Sequence, residues 1–246
     1  MKSSIKTPFL KWLVLTLIVI IAVSAGFFIY QHFKGTTPRT RWVISWILNP
    51  LNHQDWETAA LSRCNESTPF LFPTAGYIGY LWDNSFRPGH RHQGIDIFTS
   101  ESSGNTPVYA AYDGYLTRLP DWKSSLIIRV PRDPIHPQNQ IWLYYTHLAD
   151  LDGNSYIMPD FPVGSSDLFV EEGTLLGYQG NFSGTIGNPV GVHLHFSIVM
   201  DDGNNNFLNE LNIHNTLDPS PYFDLPLNGK TNDGIIPICQ NQVTSP

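Results

Sequence analysis

The chain has 246 residues, of which 41% are hydrophobic and 14% are charged, and it contains 19 glycines and 19 prolines. This composition excludes a wholly disordered chain and a long-helix bundle or coiled coil, and it favours a turn-rich β protein. The net charge is −7, but six of the 14 basic residues precede residue 42 and all 21 acidic residues follow it, so the acidic body lacks the basic surface that nucleic-acid binding requires.

An uncharged apolar segment runs from Trp12 to Tyr30, after a short N-terminus (residues 1–11) that carries three lysines. A helix rises about 1.5 Å per residue, so this segment nearly crosses a hydrocarbon core of about 30 Å. Lysines before an apolar segment favour a cytoplasmic N-terminus. We therefore predict a transmembrane anchor at residues 12–30, with the rest of the chain outside the cytoplasm. The alternative is a secreted protein whose signal peptide is cleaved after Ala25.

Residues 31–63 are predicted to form a juxtamembrane segment with an amphipathic stripe. The stripe consists of Trp42, Val43, Trp46, Ile47 and Leu51. This stripe can be explained in two ways. In the first, the two tryptophans lie in the membrane interface. In the second, the stripe belongs to a short helix that packs on the folded domain.

The folded domain is predicted at residues 64–225, followed by a C-terminal tail at residues 226–246 that is rich in polar and turn-forming residues. Cys64 and Cys239 are the two cysteines of the chain. In an oxidising compartment they could form a disulfide between the start of the domain and the tail, and otherwise they are unpaired thiols.

Short β-like segments separated by turn residues fill the middle of the chain, and no helical periodicity persists there. These segments predict a mainly antiparallel β domain. They are Gly94–Phe98, Val108–Ala111, Tyr115–Arg118, Ser125–Val130, Gln140–His147, Thr174–Tyr178 and His193–Met200.

Two histidine-containing motifs fall on these segments. His92 and Asp96 are separated by three residues that include Gly94, which lets the backbone bend so that an imidazole and a carboxylate can converge. His193 and His195 lie two residues apart, so on a strand they share one face.

Together with a third histidine, His147, at the end of another β-like segment, the two motifs predict a divalent-metal site. Nitrogen and oxygen ligands of this kind suit Zn²⁺, and catalytic zinc sites keep three protein ligands and one open position.

The same residues resemble the M23 family of zinc metallopeptidases, the lysostaphin- and LytM-like peptidoglycan endopeptidases. The resemblance extends from about residue 74 to residue 223 and rests on six landmarks in the family's order. These are His92–Asp96, Pro107–Gly114, Tyr145–Leu148, Glu172–Gly180, His193–Phe196 and Leu217–Tyr222.

The resemblance implies a LytM/lysostaphin-like β domain that binds Zn²⁺ and cleaves peptide bonds in peptidoglycan stem peptides or cross-bridges. The implied zinc ligands are His92, Asp96 and His195. The implied catalytic residues are His147 and His193, which would move protons and stabilise the oxyanion. All five positions are present, which favours an active enzyme.

The chain departs from the family pattern in three long connections, residues 131–139, 149–170 and 181–191. Because such loops usually border a binding groove, they affect the expected substrate more than the expected metal chemistry. Two other functions stay open. One is a catalytically silent M23-like module that binds cell wall or activates another hydrolase. The other is a D-Ala-D-Ala-type metal carboxypeptidase, although no acidic residue follows His195 before Asp201.

Overall fold

The computed structural model describes residues 6–34, 37–84, 89–232 and 234–239. The chain divides into two compact units, residues 1–37 and residues 38–246. The first unit contains helix α1, Lys6–Lys34. Within the described ranges, no helix has both the length and the hydropathy needed to cross a membrane, so the predicted transmembrane helix at residues 12–30 is not supported.

The second unit begins with helix α2 and a 3-10 helix and continues as a β domain. The N-terminal elements are α2 (Pro38–Leu48), the 3-10 helix Pro50–Trp56 and the short strand β1 (Glu57–Thr58). The next strands are β2 (Gly76–Ile78), β3 (Ile95–Phe98), β4 (Pro107–Tyr109), β5 (Gly114–Thr117), β6 (Leu126–Val130) and β7 (Ile141–Thr146).

The C-terminal half of the domain adds five strands and three short helices. The strands are β8 (Leu168–Val170), β9 (Leu175–Tyr178), β10 (Gly180–Phe182), β11 (Pro189–Met200) and β12 (Thr216–Leu217). The helices are a 3-10 helix (Ile213–Asn215), α3 (Ser220–Phe223) and α4 (Gly229–Asn232).

Ten of these strands form one sheet, with the order β1-β2-β3-β11-β7-β6-β5-β8, and β10 and β12 also pair with β11. Strands β4 and β9 form a separate two-stranded sheet. All strand pairs in both sheets are antiparallel. The prediction of a mainly antiparallel β domain is therefore confirmed, and β11 lies at its centre between β3 and β7.

Each of the seven predicted strands is present, with ends that differ by one or a few residues. The largest difference is at β11, which begins at Pro189 rather than at His193. The sequence does not predict the other five strands, β1, β2, β8, β10 and β12, because each is only two or three residues long and carries no distinct alternating pattern. Of these, β8 and β10 lie in or beside the long connections at residues 149–170 and 181–191.

The core lies under the face of the sheet that is opposite the histidines. On β11 the side chains of Leu194, Phe196 and Ile198 are fully buried in this core. Because side chains alternate along a strand, burial of these three residues directs His193 and His195 to the other face. The predicted division of β11 into a core face and a histidine face is therefore what the structure shows.

Gly94 lies where β3 approaches β11, and a Cβ atom at this position would overlap the carbonyl oxygen of Phe196. We expect Gly94→Ala to destabilise the domain by about 1–3 kcal/mol, because backbone atoms of two paired strands would have to separate. Thermal unfolding followed by circular dichroism measures the loss. Gly234→Ala is the control, since its Cβ would meet no atom within 4 Å. Equal melting temperatures for the two variants would contradict this explanation.

Residues 38–63 and the C-terminal segment belong to the same compact unit as the β domain. Trp46 of α2 is buried and stacks on Tyr77 with 5.5 Å between ring centroids, so α2 is a helix packed on the domain. Leu227 is fully buried in the core, so the segment after residue 225 also contributes to packing.

A disulfide joins Cys64 to Cys239 across 175 residues of sequence. We expect replacement of both cysteines by alanine to lower the stability of the domain by about 2–5 kcal/mol, because the cross-link restricts the unfolded chain over a long loop. Denaturant unfolding of the oxidised protein and of the double variant measures this difference. Identical unfolding midpoints would show that the disulfide contributes nothing to stability.

Candidate metal centre and catalytic groove

The register of the central strands brings two of the predicted ligands together. His195 on β11 is directly opposite Asp96 on β3 and, on its other side, directly opposite Thr146 on β7. Directly opposed residues of antiparallel strands project from the same face of the sheet. The sheet register therefore places Asp96 and His195 side by side, although they are 99 residues apart in sequence.

The third predicted ligand, His92, reaches the same point from the segment before β3. Its Nδ1 atom lies 3.0 Å from the carbonyl oxygen of Leu81. A carbonyl only accepts hydrogen bonds, so Nδ1 carries the proton and donates it. The Nε2 atom of His92 therefore keeps its lone pair and faces Asp96 and His195.

Three donor atoms converge at this point. The Nε2 atom of His92 lies 3.1 Å from Oδ1 of Asp96 and 3.0 Å from Nδ1 of His195. The Nδ1 atom of His195 lies 2.9 Å from the same Asp96 oxygen. His92 and Asp96 are buried, and His195 is partly buried. Converging nitrogen and carboxylate donors of this kind could hold a metal ion.

The electrostatics of the cluster favour a cation at its centre. Burial alone would raise the pKa of Asp96, but interactions of its carboxylate with the surrounding rings of His92, His193 and His195 hold that pKa well below its usual value. Burial lowers the pKa of His92, yet the charge and hydrogen bond of Asp96 outweigh it and raise that pKa overall. The carboxylate thus stays ionised and attracts positive charge, either as a proton or as a metal ion.

The other two predicted site histidines share a different arrangement. The Nδ1 atom of His147 donates to the carbonyl oxygen of Phe182 at 2.6 Å, and Nδ1 of His193 donates to the carbonyl oxygen of Gly191 at 2.6 Å. In each ring the Nε2 atom is then unprotonated. Burial lowers the pKa of His147 and lowers that of His193 to about 3, so both rings are neutral near pH 7.

The two neutral histidines flank the donor cluster. The centroids of the His147 and His193 rings are 4.5 Å apart, and the centroid of His147 is 6.3 Å from that of His195. The Nε2 atom of His193 lies 3.6 Å from Oδ1 of Asp96. His147 follows the last residue of β7 and has a φ of +70°, a left-handed conformation that is uncommon for residues other than glycine. Such a conformation turns the ring out of the regular strand path and toward β11.

All five residues line one open groove with a volume of about 730 Å³. The groove is lined by residues of α2 and by hydroxyl-bearing residues on and beside β6 and β7, including Ser125, Tyr144 and Thr146. Among the described residues that line the groove, the ionisable acidic groups are Asp96 and Glu210, and none is Lys or Arg. The groove is therefore suited to a neutral or cationic ligand.

The remaining histidines lie in other environments. His90 lines the groove, and its ring centroid is 6.4 Å from that of His92, but it is not part of the donor cluster. His53 stacks on Trp56 and is bonded to Ser45, whereas His136 and His214 are exposed. The side chain of His32 lies outside the part of the chain whose side chains the structure describes.

Two elements of the site cannot be read from the sequence. Phe98 stacks on the ring of catalytic candidate His193 with 4.9 Å between centroids, and α2 contributes Thr40, Val43, Ile44 and Ile47 to the groove. The pairing of Phe98 with His193 follows from the register of β3 and β11, which the sequence does not reveal. The apolar stripe on α2 was visible, but not the surface that it covers.

Comparison with solved structures finds similar proteins among peptidases. One is the catalytic domain of the antimicrobial peptidase lysostaphin from Staphylococcus simulans, with 20% identity, coverage of 61% of this chain and 90% of that chain, and a TM-score of 0.38. Another is a mutant catalytic domain of the prophage-encoded M23 protein EnpA from Enterococcus faecalis, with 19% identity, coverage of 61% and 95%, and a TM-score of 0.36.

A third similar structure is Csd3 from Helicobacter pylori, with 19% identity, coverage of 64% of this chain and 37% of that chain, and a TM-score of 0.37. No family model matches the chain. No curated protein matches it either. Because these identities and TM-scores are low, the functional conclusion below depends on the geometry of the site and on the sequence motifs.

Proposed function

We propose that the protein is a zinc-dependent endopeptidase that hydrolyses peptide bonds in peptidoglycan. The observation that carries this proposal is the division of five buried or partly buried groups into two sets. His92, Asp96 and His195 direct three donor atoms at one point, and His147 and His193 hold unprotonated Nε2 atoms beside it.

The donor set fits zinc because it combines two imidazole nitrogens with one carboxylate and leaves room for a further ligand on the groove side. When bound there, the ion would act as a Lewis acid that polarises the peptide carbonyl and makes water more acidic. His92, Asp96 and His195 are the residues that would hold it.

The two neutral histidines supply proton transfer. Each has its Nδ1–H fixed on a backbone carbonyl, so each ring is held in one tautomer with Nε2 toward the groove. One can accept a proton from the attacking water, and the resulting imidazolium can return it to the leaving amine. The other can accept a hydrogen bond at its Nε2 atom, from the attacking water or from a backbone amide of the peptide, and so orient the reacting groups.

The alternative function is a catalytically silent module that binds cell wall or activates another hydrolase. Such a module needs neither the donor cluster nor the two neutral histidines. A binding module would gain nothing from burying three imidazoles around one carboxylate, which costs free energy unless a cation compensates. The presence of both sets favours catalysis.

Peptidoglycan is the proposed substrate because the six sequence landmarks resemble a family of peptidoglycan endopeptidases. The open groove can admit an extended peptide, and its lining lacks Lys and Arg among the described residues. These features suit a peptide with neutral or positively charged side chains near the cleaved bond.

The cell envelope is the proposed location. The disulfide between Cys64 and Cys239 is typical of proteins that fold in an oxidising compartment. The apolar segment at residues 12–30 would serve export, and it would then be either retained on the mature chain or removed as a cleaved signal. Sequencing the N-terminus of the mature protein distinguishes these, since a chain that begins at Gly26 has lost its signal peptide.

The proposed function is tested by incubating the zinc-loaded protein with defined muropeptides, with and without a chelator. We expect mass spectrometry to detect new peptide amino termini that disappear with the chelator and return when zinc is added. Unchanged muropeptides in the zinc-loaded sample would reject the proposed activity.

A further inference from the structure

Helix α2 forms one wall of the groove that contains the catalytic candidates. Thr40, Val43, Ile44 and Ile47 line this groove together with the histidines of the site. The helix lies outside the region of the sequence that resembles the M23 family. Its place in the groove is therefore a feature of this chain that the motifs do not reveal.

The helix is held firmly in this position. Trp46 packs on Tyr77, and the fully buried guanidinium of Arg39 donates to the carbonyl oxygens of Asn232, at 3.0 Å, and Ile235. These contacts attach α2 both to the sheet and to the C-terminal segment. Because the helix is fixed at two places, a ligand that binds its exposed side chains does not have to pay the entropy cost of ordering the helix first.

The closeness of α2 to the sheet depends on Gly79. A Cβ atom at this position would lie 2.7 Å from a ring carbon of Phe98 and 3.1 Å from Cγ2 of Val43. Only glycine lets the helix and the Phe98 ring approach so closely. The same Phe98 ring stacks on His193, so α2, Phe98 and His193 form one continuous layer.

The outer part of this wall is apolar and open. Ile44 and Ile47 line the groove and are 38% and 51% exposed. Helix α2 packs on Tyr77 of β2, on one side of β11 in the sheet order, whereas the hydroxyl groups of Ser125 and Thr146 come from the residue before β6 and from β7, on the other side. The groove thus has one apolar side and one hydrogen-bonding side. An extended peptide meets such a groove best when it places an apolar side chain on α2 and its backbone amides toward the hydroxyls.

We propose that Ile44 and Ile47 determine specificity, by binding an apolar side chain of the peptide substrate next to the cleaved bond. This inference rests on the proposed function, and it names the occupant of the α2 wall as the substrate peptide itself. Continuity of the wall with His193 through Phe98 places that side chain close to the reacting bond.

The test compares two synthetic peptides that contain the bond cleaved in muropeptides. One carries an apolar residue beside the bond, and the other carries glycine there. We expect the full-length protein, purified in mild detergent, to prefer the apolar peptide by about tenfold or more in kcat/KM. Ile47→Ser and Ile44→Ser should each reduce this preference several-fold, mainly through a higher KM for the apolar peptide.

Leu48→Ser is the matched control, because Leu48 is on the same helix, is 70% exposed and is not among the groove-lining residues. It should leave the preference unchanged. A general effect on folding would alter the turnover of both peptides equally. The ratio of their kcat/KM values therefore reports only on recognition of the apolar side chain. An unchanged ratio in the isoleucine variants, or an equal loss in Leu48→Ser, would overturn the proposal.

Two further measurements separate the other outcomes. If Ile47→Ser and Leu48→Ser weaken binding to phosphatidylglycerol vesicles equally and leave the peptide preference intact, the face is a membrane surface and the proposal is wrong. If no bond is cleaved, the proposed function fails. In that case, changes in the methyl NMR shifts of Ile44 and Ile47 on addition of the muropeptides test whether α2 binds the peptide. Unchanged shifts would reject the proposed role of these two residues.

Discussion

Replacement of His147 by asparagine is expected to lower hydrolysis about 10²–10⁴-fold while zinc binding and the fold are retained. The reason is that His147 lies beside the donor cluster but not in it, and its unprotonated Nε2 acts mainly as the reaction proceeds. Asparagine is preferred because it tolerates the positive φ of this position, and His147→Ala should behave similarly. Zinc content by atomic absorption and turnover of muropeptides are measured on the same samples.

The control for this variant is His136→Ala, which removes an exposed histidine from the proline-rich connection at residues 131–139. It should keep both zinc and turnover. Near-normal hydrolysis by zinc-loaded His147→Asn would remove His147 from the catalytic machinery. Loss of zinc from that variant would mean that His147 is a ligand.

Asp96→Asn is expected to weaken metal binding strongly. Its Oδ1 atom lies within 3.1 Å of a ring nitrogen of His92 and of His195, so one oxygen joins the two imidazole donors. Loss of its charge should weaken zinc affinity by more than about 100-fold, beyond the loss typical of residues that only orient a ligand. Activity should fall with it. Titration of the metal-free protein with zinc against a competing indicator gives the affinity.

Asp152→Asn serves as the matched control, since it removes an exposed carboxylate from a loop. Its zinc affinity should equal that of the unaltered protein. An Asp96→Asn protein that binds zinc as tightly as this control would show that the carboxylate is not a ligand.

The strands that carry the candidate site are easier to predict from the sequence than the contacts that surround it. The alternation on β11 can be read from the sequence because the apolar residues Leu194 and Phe196 alternate with His193 and His195. The seven predicted strands also have a local signal, since each contains several consecutive β-forming residues. The short strands β8 and β10 depend on pairing with β5 and β11 and have no local signal of their own.

Contacts between distant segments could not be predicted. The direct pairing of His195 with Asp96 depends on the register of β11 and β3, which only the folded sheet defines. Burial of the Arg39 guanidinium depends on carbonyl groups about 190 residues away, at Asn232 and Ile235. The sequence left two arrangements for the stripe on residues 42–51, because an apolar stripe does not specify its partner.

The most direct test of the division into ligands and proton-transferring residues uses two histidines on one strand. His193→Ala and His195→Ala remove neighbouring side chains from the same face of β11, so their effects on folding should be similar. We predict that His195→Ala loses both zinc and hydrolysis, whereas His193→Ala keeps about one zinc ion per chain and loses hydrolysis. Parallel measurement of bound zinc and muropeptide turnover in the two variants gives the answer. Equal zinc content in both, or full hydrolysis by zinc-loaded His193→Ala, would contradict the division.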